Sequence, residues 1–238
     1  MTESRSLSVS PNRILSRLSR RDLRLLEGHL ETAVLPARKR LEIRNRRIDH
    51  VYFIEEGIAS VVAGGTGGDG IEVGIIGNEG MTGLAVVLGA DRSPLDTFMH
   101  TSGVAQCMRA ANLRLRMNES ASLRAALTQH AFAFHIQMSQ TALANGRGTL
   151  ETRLARRLLM AGDRLDSDRV EVTHESLAYV LGVRRPGVTL ALKRLEDGGY
   201  IEAERGAIRI VNRGGLEHCS DGTYGGAEAE YNRLFAYT

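Results

Sequence analysis

The sequence predicts an α+β protein in three parts: a small antiparallel β-barrel or sandwich, one long helix, and a C-terminal helix-turn-helix followed by a β-hairpin. Three observations predict it. From about Leu41 to Met117 short β-rich runs alternate with glycine-containing turns, the texture of an antiparallel all-β unit. From Asn118 to about Asn145 apolar residues recur at helical spacing. From Thr173 to Val211 two short apolar-faced segments flank a glycine and are followed by two short strands.

The bulk numbers bound the reading. The chain has 238 residues, 42% hydrophobic and 25% charged, as in ordinary globular proteins. No run approaches eighteen apolar residues, so a membrane-spanning helix is not expected. The start, "MTESRSLSVSPNRILSRLSRRDLRLL", lacks the apolar core of a secretory signal. Glu3, Asp22 and Glu27 argue against an organelle-targeting peptide, so the expected location is the cytoplasm. Cys107 and Cys219 fit no disulfide or metal spacing. No cofactor and no metal site are expected. The net charge is +3, with a basic first fifty residues and an acidic middle, a distribution compatible with nucleic-acid binding.

In chain order, Ser19 to Leu30 reads as a short amphipathic helix, with Leu23, Leu26 and Leu30 on one side and Asp22 in the first turn. The β region follows as "HVYFIEEG", "IASVVAGG", "IEVGIIGNEG", "GVAQCMRA" and "NLRLRM". "GGTGGDG" is a hairpin loop, lacking the lysine and following helix of a phosphate-binding P-loop. Asn118 is the expected cap of the long helix. Leu123, Leu127, Phe134 and Met138 share one face; Phe132, Ile136 and Leu143 lie roughly opposite. A helix apolar on opposite faces needs two covers. One can be the β unit and the other a second domain or a second copy of the chain, so a helix-mediated homodimer is expected, with Leu123, Leu127, Phe134 and Met138 as its contacts. Gly146 and Gly148 end the helix and mark a boundary. The later "DRLDSDRVEV" lacks the glycine and terminal glutamate of a calcium loop and reads as a solvated turn. The expected divisions are 1–117, 118–146, 147–213 and 214–238. The second half of the last segment can form a short helix packing Tyr231, Leu234 and Phe235.

Residues 173 to 211 carry the densest constellation. Thr173 caps a short helix that faces Leu177, Val180 and Leu181 inward, and Ala178 permits close helix contact. Gly182 supplies the turn of a helix-turn-helix. Proline is tolerated in a first helical turn, where its missing N–H had no partner. Pro186 therefore opens the second helix. That start sets Arg184, Arg185 and Thr189 at the head of a recognition helix suited to the major groove, with Lys193 further along. Two strands, Tyr200–Ala203 and Ala207–Val211, joined at Arg205-Gly206, make a wing. The candidate DNA contacts are Thr173, Arg184, Arg185, Pro186, Thr189, Lys193, Arg205 and Arg209, through phosphates or guanine edges.

Several segments resemble the family of the cyclic-AMP receptor protein and the fumarate–nitrate reductase regulator, the Crp/Fnr family. They are "VYFIEEGIASVV", "GNEGMTG", "TRLARRLL" and, most specifically, "THESLAYVLGVRRPGVTLALKRLEDGGYI". The resemblance spans roughly residues 20 to 213. It implies a cyclic-nucleotide-binding-like β-roll, a dimerisation helix and a winged helix, in a homodimeric regulator that binds a palindromic site in double-stranded DNA, with RNA polymerase as a further partner. It sets Arg185 at the base-contacting position, and Pro186 and Leu190 where Glu and Arg often stand. It also makes Glu79 a candidate for the effector pocket. The matching Arg-Ser/Thr pair falls near Asp96-Thr97, where a carboxylate would repel a phosphate, and Arg92-Ser93 is the substitute. The candidate pocket is thus Glu79, Arg92, Ser93 and Thr97, and its unidentified small-molecule effector is not expected to be cyclic AMP. The cysteine cluster of the oxygen-sensing members is absent, and His100 and Cys107 read as packed or surface residues rather than haem ligands.

Two other classes compete. A metal-dependent enzyme of the cupin type needs a His-x-His cluster, but the β region has only His50 and His100, and His130 and His135 stand five apart on the long helix. No nucleophile elbow or HExxH motif occurs, so catalysis is not expected. A pure interaction module, with the winged helix binding protein rather than DNA, is the remaining alternative.

Overall fold

A computed structural model describes residues 10–64 and 70–235. The loop "GGTGGDG" lies largely outside the described residues. A 3-10 turn at Leu15–Arg17 leads to α1 (Arg20–Glu27), β1 (Glu31–Leu35), β2 (Arg40–Glu42), β3 (His50–Ile54), β4 (Ala59–Gly64), β5 (Gly70–Ile76), α2 (Leu84–Val87), β6 (Asp96–Met99) and β7 (Gly103–Arg109). Helices α3 (Ala110–Glu119), α4 (Ala121–Arg147) and α5 (Leu150–Leu165) follow. Then come β8 (Arg169–Glu171), α6 (His174–Leu181), α7 (Arg185–Asp197), β9 (Ile201–Glu204), β10 (Ala207–Ile210), α8 (Arg213–Cys219) and α9 (Gly226–Phe235).

The chain forms two compact units. One gathers residues up to Val61 with Ile76–Phe132; the other gathers Val62–Ile75 and the chain from Ala133. Their boundary runs through the middle of α4 and across the β4–β5 hairpin. The strands form a three-stranded antiparallel sheet, β1-β7-β3, and a four-stranded sheet, β2-β6-β4-β5.

In the first unit Leu15, Leu26, Val51, Phe53, Met81, Met108 and Leu113 close one apolar core. Asn12 ties the N-terminal segment to it: its side-chain amide donates to Ile54 O (2.7 Å) and Gly80 O (2.8 Å). Helix α1 starts where expected, with the Ser19 hydroxyl accepting from Asp22 N at 3.1 Å, and ends at Gly28, short of Leu30.

Two expectations fail in this unit. "NLRLRM" is not a strand; it lies within α3. Its alternation of Leu113, Leu115 and Met117 suits a strand, but Leu113 and Met117 are also i, i+4 partners. Those two are buried and Leu115 is exposed, so tertiary packing chose the helical period. Asn118 is not a cap either, because α3 runs through it to Glu119. The break comes at Ser120 (φ −130°, ψ 113°). There the hydroxyl accepts from Leu123 N at 3.2 Å and donates to buried Asp22 Oδ1 at 2.5 Å. Serine at a helix start supplies an acceptor for an otherwise orphaned backbone N–H.

Helix α4 corrects the expected dimer contacts. Leu123 and Leu127 are fully enclosed in the first unit's core. Phe134 is buried in the second unit against Gly74, where an added Cβ would come within 2.7 Å of its ring, and Met138 is partly buried. The face assigned to a partner is therefore largely spent inside the chain. The face left open carries Phe132, 46% exposed, and Leu143, 42% exposed, with Ile136 partly buried between them.

In the second unit Arg156 and Arg157 are buried on α5. Arg157 pairs with Glu72 of β5, Nε to Oε1 at 2.5 Å and Nη2 to Oε2 at 3.3 Å. Arg156 donates to Thr223 O (2.8 Å) and Gln137 O (3.3 Å), and burial pushes its pKa down to about 10. Gln137 holds both backbone groups of Ile75, accepting from N at 2.7 Å and donating to O at 3.1 Å. The C-terminal segment forms α8 and α9. Arg213 and Tyr224 both bind Asp163 of α5 (2.5 and 2.7 Å), and Tyr231 and Leu234 pack on Ala133.

Candidate nucleic-acid interface

Helix α6 begins with a reciprocal cap. Thr173 Oγ1 accepts from Ser176 N and Ser176 Oγ accepts from Thr173 N, each at 3.1 Å, which satisfies two orphaned donors at once. The helix buries Leu177, Ala178, Val180 and Leu181. It stops at Gly182 (φ +63°), a left-handed conformation that glycine adopts without penalty. Val183 N then bonds to Ala178 O at 3.0 Å and turns the chain.

Helix α7 begins at Arg185 with Pro186 second, and Gly187 N already bonds to Arg184 O at 3.0 Å. Proline therefore costs α7 no hydrogen bond. Val188, Ala191, Leu192 and Leu195 are buried. Arg184, Arg185, Pro186, Thr189, Leu190 and Lys193 are exposed. Arg185 Nε stands 4.0 Å from Glu175 Oε2 with both side chains largely in solvent, a pairing too weak to hold the guanidinium against a phosphate or base. Thr189 is less free. Its hydroxyl donates to Arg185 O (3.2 Å) and shares a hydrogen bond with His174 Nδ1 (2.9 Å).

The wing is a three-stranded sheet, β8-β10-β9. In it Arg209 faces Glu202 and Ile208 sits between Ala203 and Val170. Its turn is Arg205-Gly206, Gly206 at φ +77°. Strand β8 lies inside the segment read from sequence as a solvated turn. The two wing arginines differ. Arg209 is bonded to Glu202 and, at 3.3 Å, to Glu204, which also takes Arg169 at 2.9 Å. Arg205 stands at the turn without an ion pair among the described residues. Phosphate contact through Arg209 would have to displace two carboxylates.

The candidate effector residues have separate partners. Glu79 accepts from Gly77 N at 3.0 Å within its own turn. Arg92 pairs with neighbouring Asp91 at 3.1 Å in solvent. Ser93 Oγ accepts from Leu95 N at 3.1 Å, and Thr97 is buried in β6 opposite Glu42. Sequence reasoning missed Glu42. Its Oε1 accepts from Gly83 N at 2.7 Å, at the start of α2. Burial raises the pKa of this carboxyl against the opposing effect of the Gly83 hydrogen bond. Among the described residues no group of three or more His, Cys, Asp or Glu side chains is placed to hold a metal ion, and no helix is long and apolar enough to cross a membrane.

Residues 152–219 match the family model of the Crp-like helix-turn-helix domain. The chain carries a Crp-like helix-turn-helix domain. Solved structures extend the likeness to the whole fold. FixK2 from Bradyrhizobium japonicum superposes with a TM-score of 0.70 at 15% identity, over 80% of this chain and 96% of its own. A CRP-family transcriptional regulator from Thermus thermophilus gives 0.67 at 19%, over 80% and 97%. The c-di-GMP-responsive global regulator CLP of Xanthomonas campestris gives 0.65 at 15%, over 81% and 99%. The chain thus has the fold of solved Crp/Fnr regulators and carries within it a Crp-like helix-turn-helix domain. No curated protein matches the chain by sequence.

Proposed function

We propose that the chain is a homodimeric, sequence-specific regulator of transcription that reads a two-fold symmetric site in double-stranded DNA. The observation that carries this reading is the outward surface of α7 in a Crp-like helix-turn-helix domain. Arg184, Arg185 and Lys193 are exposed there around the first turns of the helix. Guanidinium and ammonium groups in that position neutralise phosphates and donate to guanine O6 and N7. Arg185 reads a base; Arg184, Lys193 and the wing-tip Arg205 hold the backbone. The α4 face of Phe132, Ile136 and Leu143 is the dimer seam. The division by role at 1–117, 118–146, 147–213 and 214–238 belongs to the same reading.

The β-roll serves as a sensor that does not take a cyclic-nucleotide phosphate. A phosphate approaching the start of α2 meets the buried Glu42 carboxyl, already bonded to Gly83 N. Neighbours in fold that are transcriptional regulators of the CRP family support a regulatory rather than a catalytic reading.

The test is binding of a selected operator by Arg185→Ala and Lys193→Ala proteins. Arg185→Ala loses about 1–3 kcal/mol and relaxes preference at one position, whereas Lys193→Ala weakens all sequences alike and reduces the salt slope by about one. Identical affinity and preference in both variants would remove α7 from the readout.

A further inference from the structure

The reading surface of α7 is chemically lopsided. Between Arg184 and Lys193 the chain has no Asp, Glu, Asn or Gln. Nothing along that stretch accepts a hydrogen bond from cytosine N4 or grips adenine N6 and N7 together. The Thr189 hydroxyl is engaged by His174 and by the Arg185 carbonyl. What remains is a set of cationic donors around an apolar patch. Pro186 and Leu190 are four residues apart, hence side by side on the helix, and both are exposed, Leu190 by 53%.

A single exposed leucine is commonplace on a protein surface. This one differs in its setting. It lies outside the buried stripe of Val188, Ala191, Leu192 and Leu195, one turn from an exposed proline, on the helix that faces the groove, and between Arg185 and Lys193. The apolar feature on the major-groove edge of DNA is the thymine 5-methyl group. One helical turn advances about 5.4 Å and one base pair about 3.4 Å, so two side chains one turn apart span one to two base steps.

We propose that Pro186 and Leu190 form an apolar reading surface for thymine 5-methyl groups, so that each half-site sets neighbouring thymines beside the guanine held by Arg185. The assignment rests on the DNA-binding reading above and deepens it. Specificity then comes from two kinds of contact. Arg185 donates to guanine, and the methyl groups displace water from a patch that is otherwise solvated.

The experiment begins with selection from randomised duplex DNA by the full-length protein. Thymines of the selected site are then replaced one at a time by deoxyuridine, which removes the methyl group and leaves base pairing intact. Affinity should fall about fourfold at each sensitive position, the weight of one buried methyl, at adjacent positions in both half-sites. Leu190→Ala, at a half-exposed position, should keep the folded circular-dichroism spectrum and lose the deoxyuridine effect at the thymine beside Leu190 while keeping it at the one beside Pro186. Arg185→Ala should keep its sensitivity to deoxyuridine and lose its preference for guanine. A symmetric site in which no deoxyuridine substitution matters, or full thymine preference in Leu190→Ala, overturns the methyl readout and leaves the DNA-binding reading standing. Failure to enrich any sequence overturns both.

Discussion

At the scale of single residues, the buried ionisable groups carry the sharpest expectations. Arg157 and Glu72 bond in two places with both side chains more than nine-tenths buried. Removing one partner strands the other charge away from water, so Glu72→Gln should cost about 3–5 kcal/mol in chemical denaturation. An exposed pair such as Arg169–Glu171 should cost far less. Glu42 behaves in the opposite sense. Burial holds its folded pKa above the unfolded value, so ionisation penalises the folded state above the folded pKa and not below the unfolded one. Glu42→Gln, which keeps an acceptor for Gly83 N, should raise the melting temperature at pH 8, with the gain vanishing below about pH 4. A gain that is constant across pH would show that Glu42 does not titrate in this way. Neither position was legible in the sequence. Glu72 and Glu42 are acidic residues in strands like many others, and only tertiary packing brings Arg157 to one and the Gly83 amide to the other.

At the scale of elements, the sequence was most informative where one local rule acts alone. Pro186 in a first turn, Gly182 at a left-handed stop and Thr173 at a cap each depend on backbone chemistry within four residues, and α6 and α7 follow those signals. Gly182→Ala should cost about 1–2 kcal/mol for the left-handed backbone. Its Cβ would meet Ile71 only at an ordinary 3.5 Å, so a larger loss would point to a rearranged turn. Where two periods fit the same residues, local signals were not enough. "NLRLRM" alternates like a strand and pairs like a helix, and the core against Leu113 and Met117 decided the matter. The same holds for α4. Its two apolar faces were legible, but which one the chain keeps for itself is a property of packing. With Leu123, Leu127 and Phe134 consumed internally, Phe132→Glu combined with Leu143→Glu should convert the proposed dimer to a folded monomer in sedimentation experiments. A variant that remains dimeric would place the seam elsewhere.

At the scale of the whole molecule, the wing and α7 leave their charges in different states. The wing neutralises much of its own charge through Arg169, Glu171, Glu202, Glu204 and Arg209, while the head of α7 leaves Arg184, Arg185 and Lys193 exposed. Salt dependence should therefore reside in α7 and Arg205, and Arg209→Ala should change operator affinity little. The helix-turn-helix was legible because a complete constellation of cap, turn, proline and wing lies within the single stretch from Thr173 to Val211. The surroundings of the candidate effector residues were not, because tertiary packing alone brings Glu42 to the Gly83 amide at the start of α2.

The measurement that bears most directly on the central claim is selection of genomic fragments by the purified full-length protein, titrated over salt. A two-fold symmetric site, with half-sites about one helical turn apart and affinity falling steeply as salt rises, is the predicted result. Fragments enriched without symmetry, or binding indifferent to salt, would contradict a dimeric reader of the major groove.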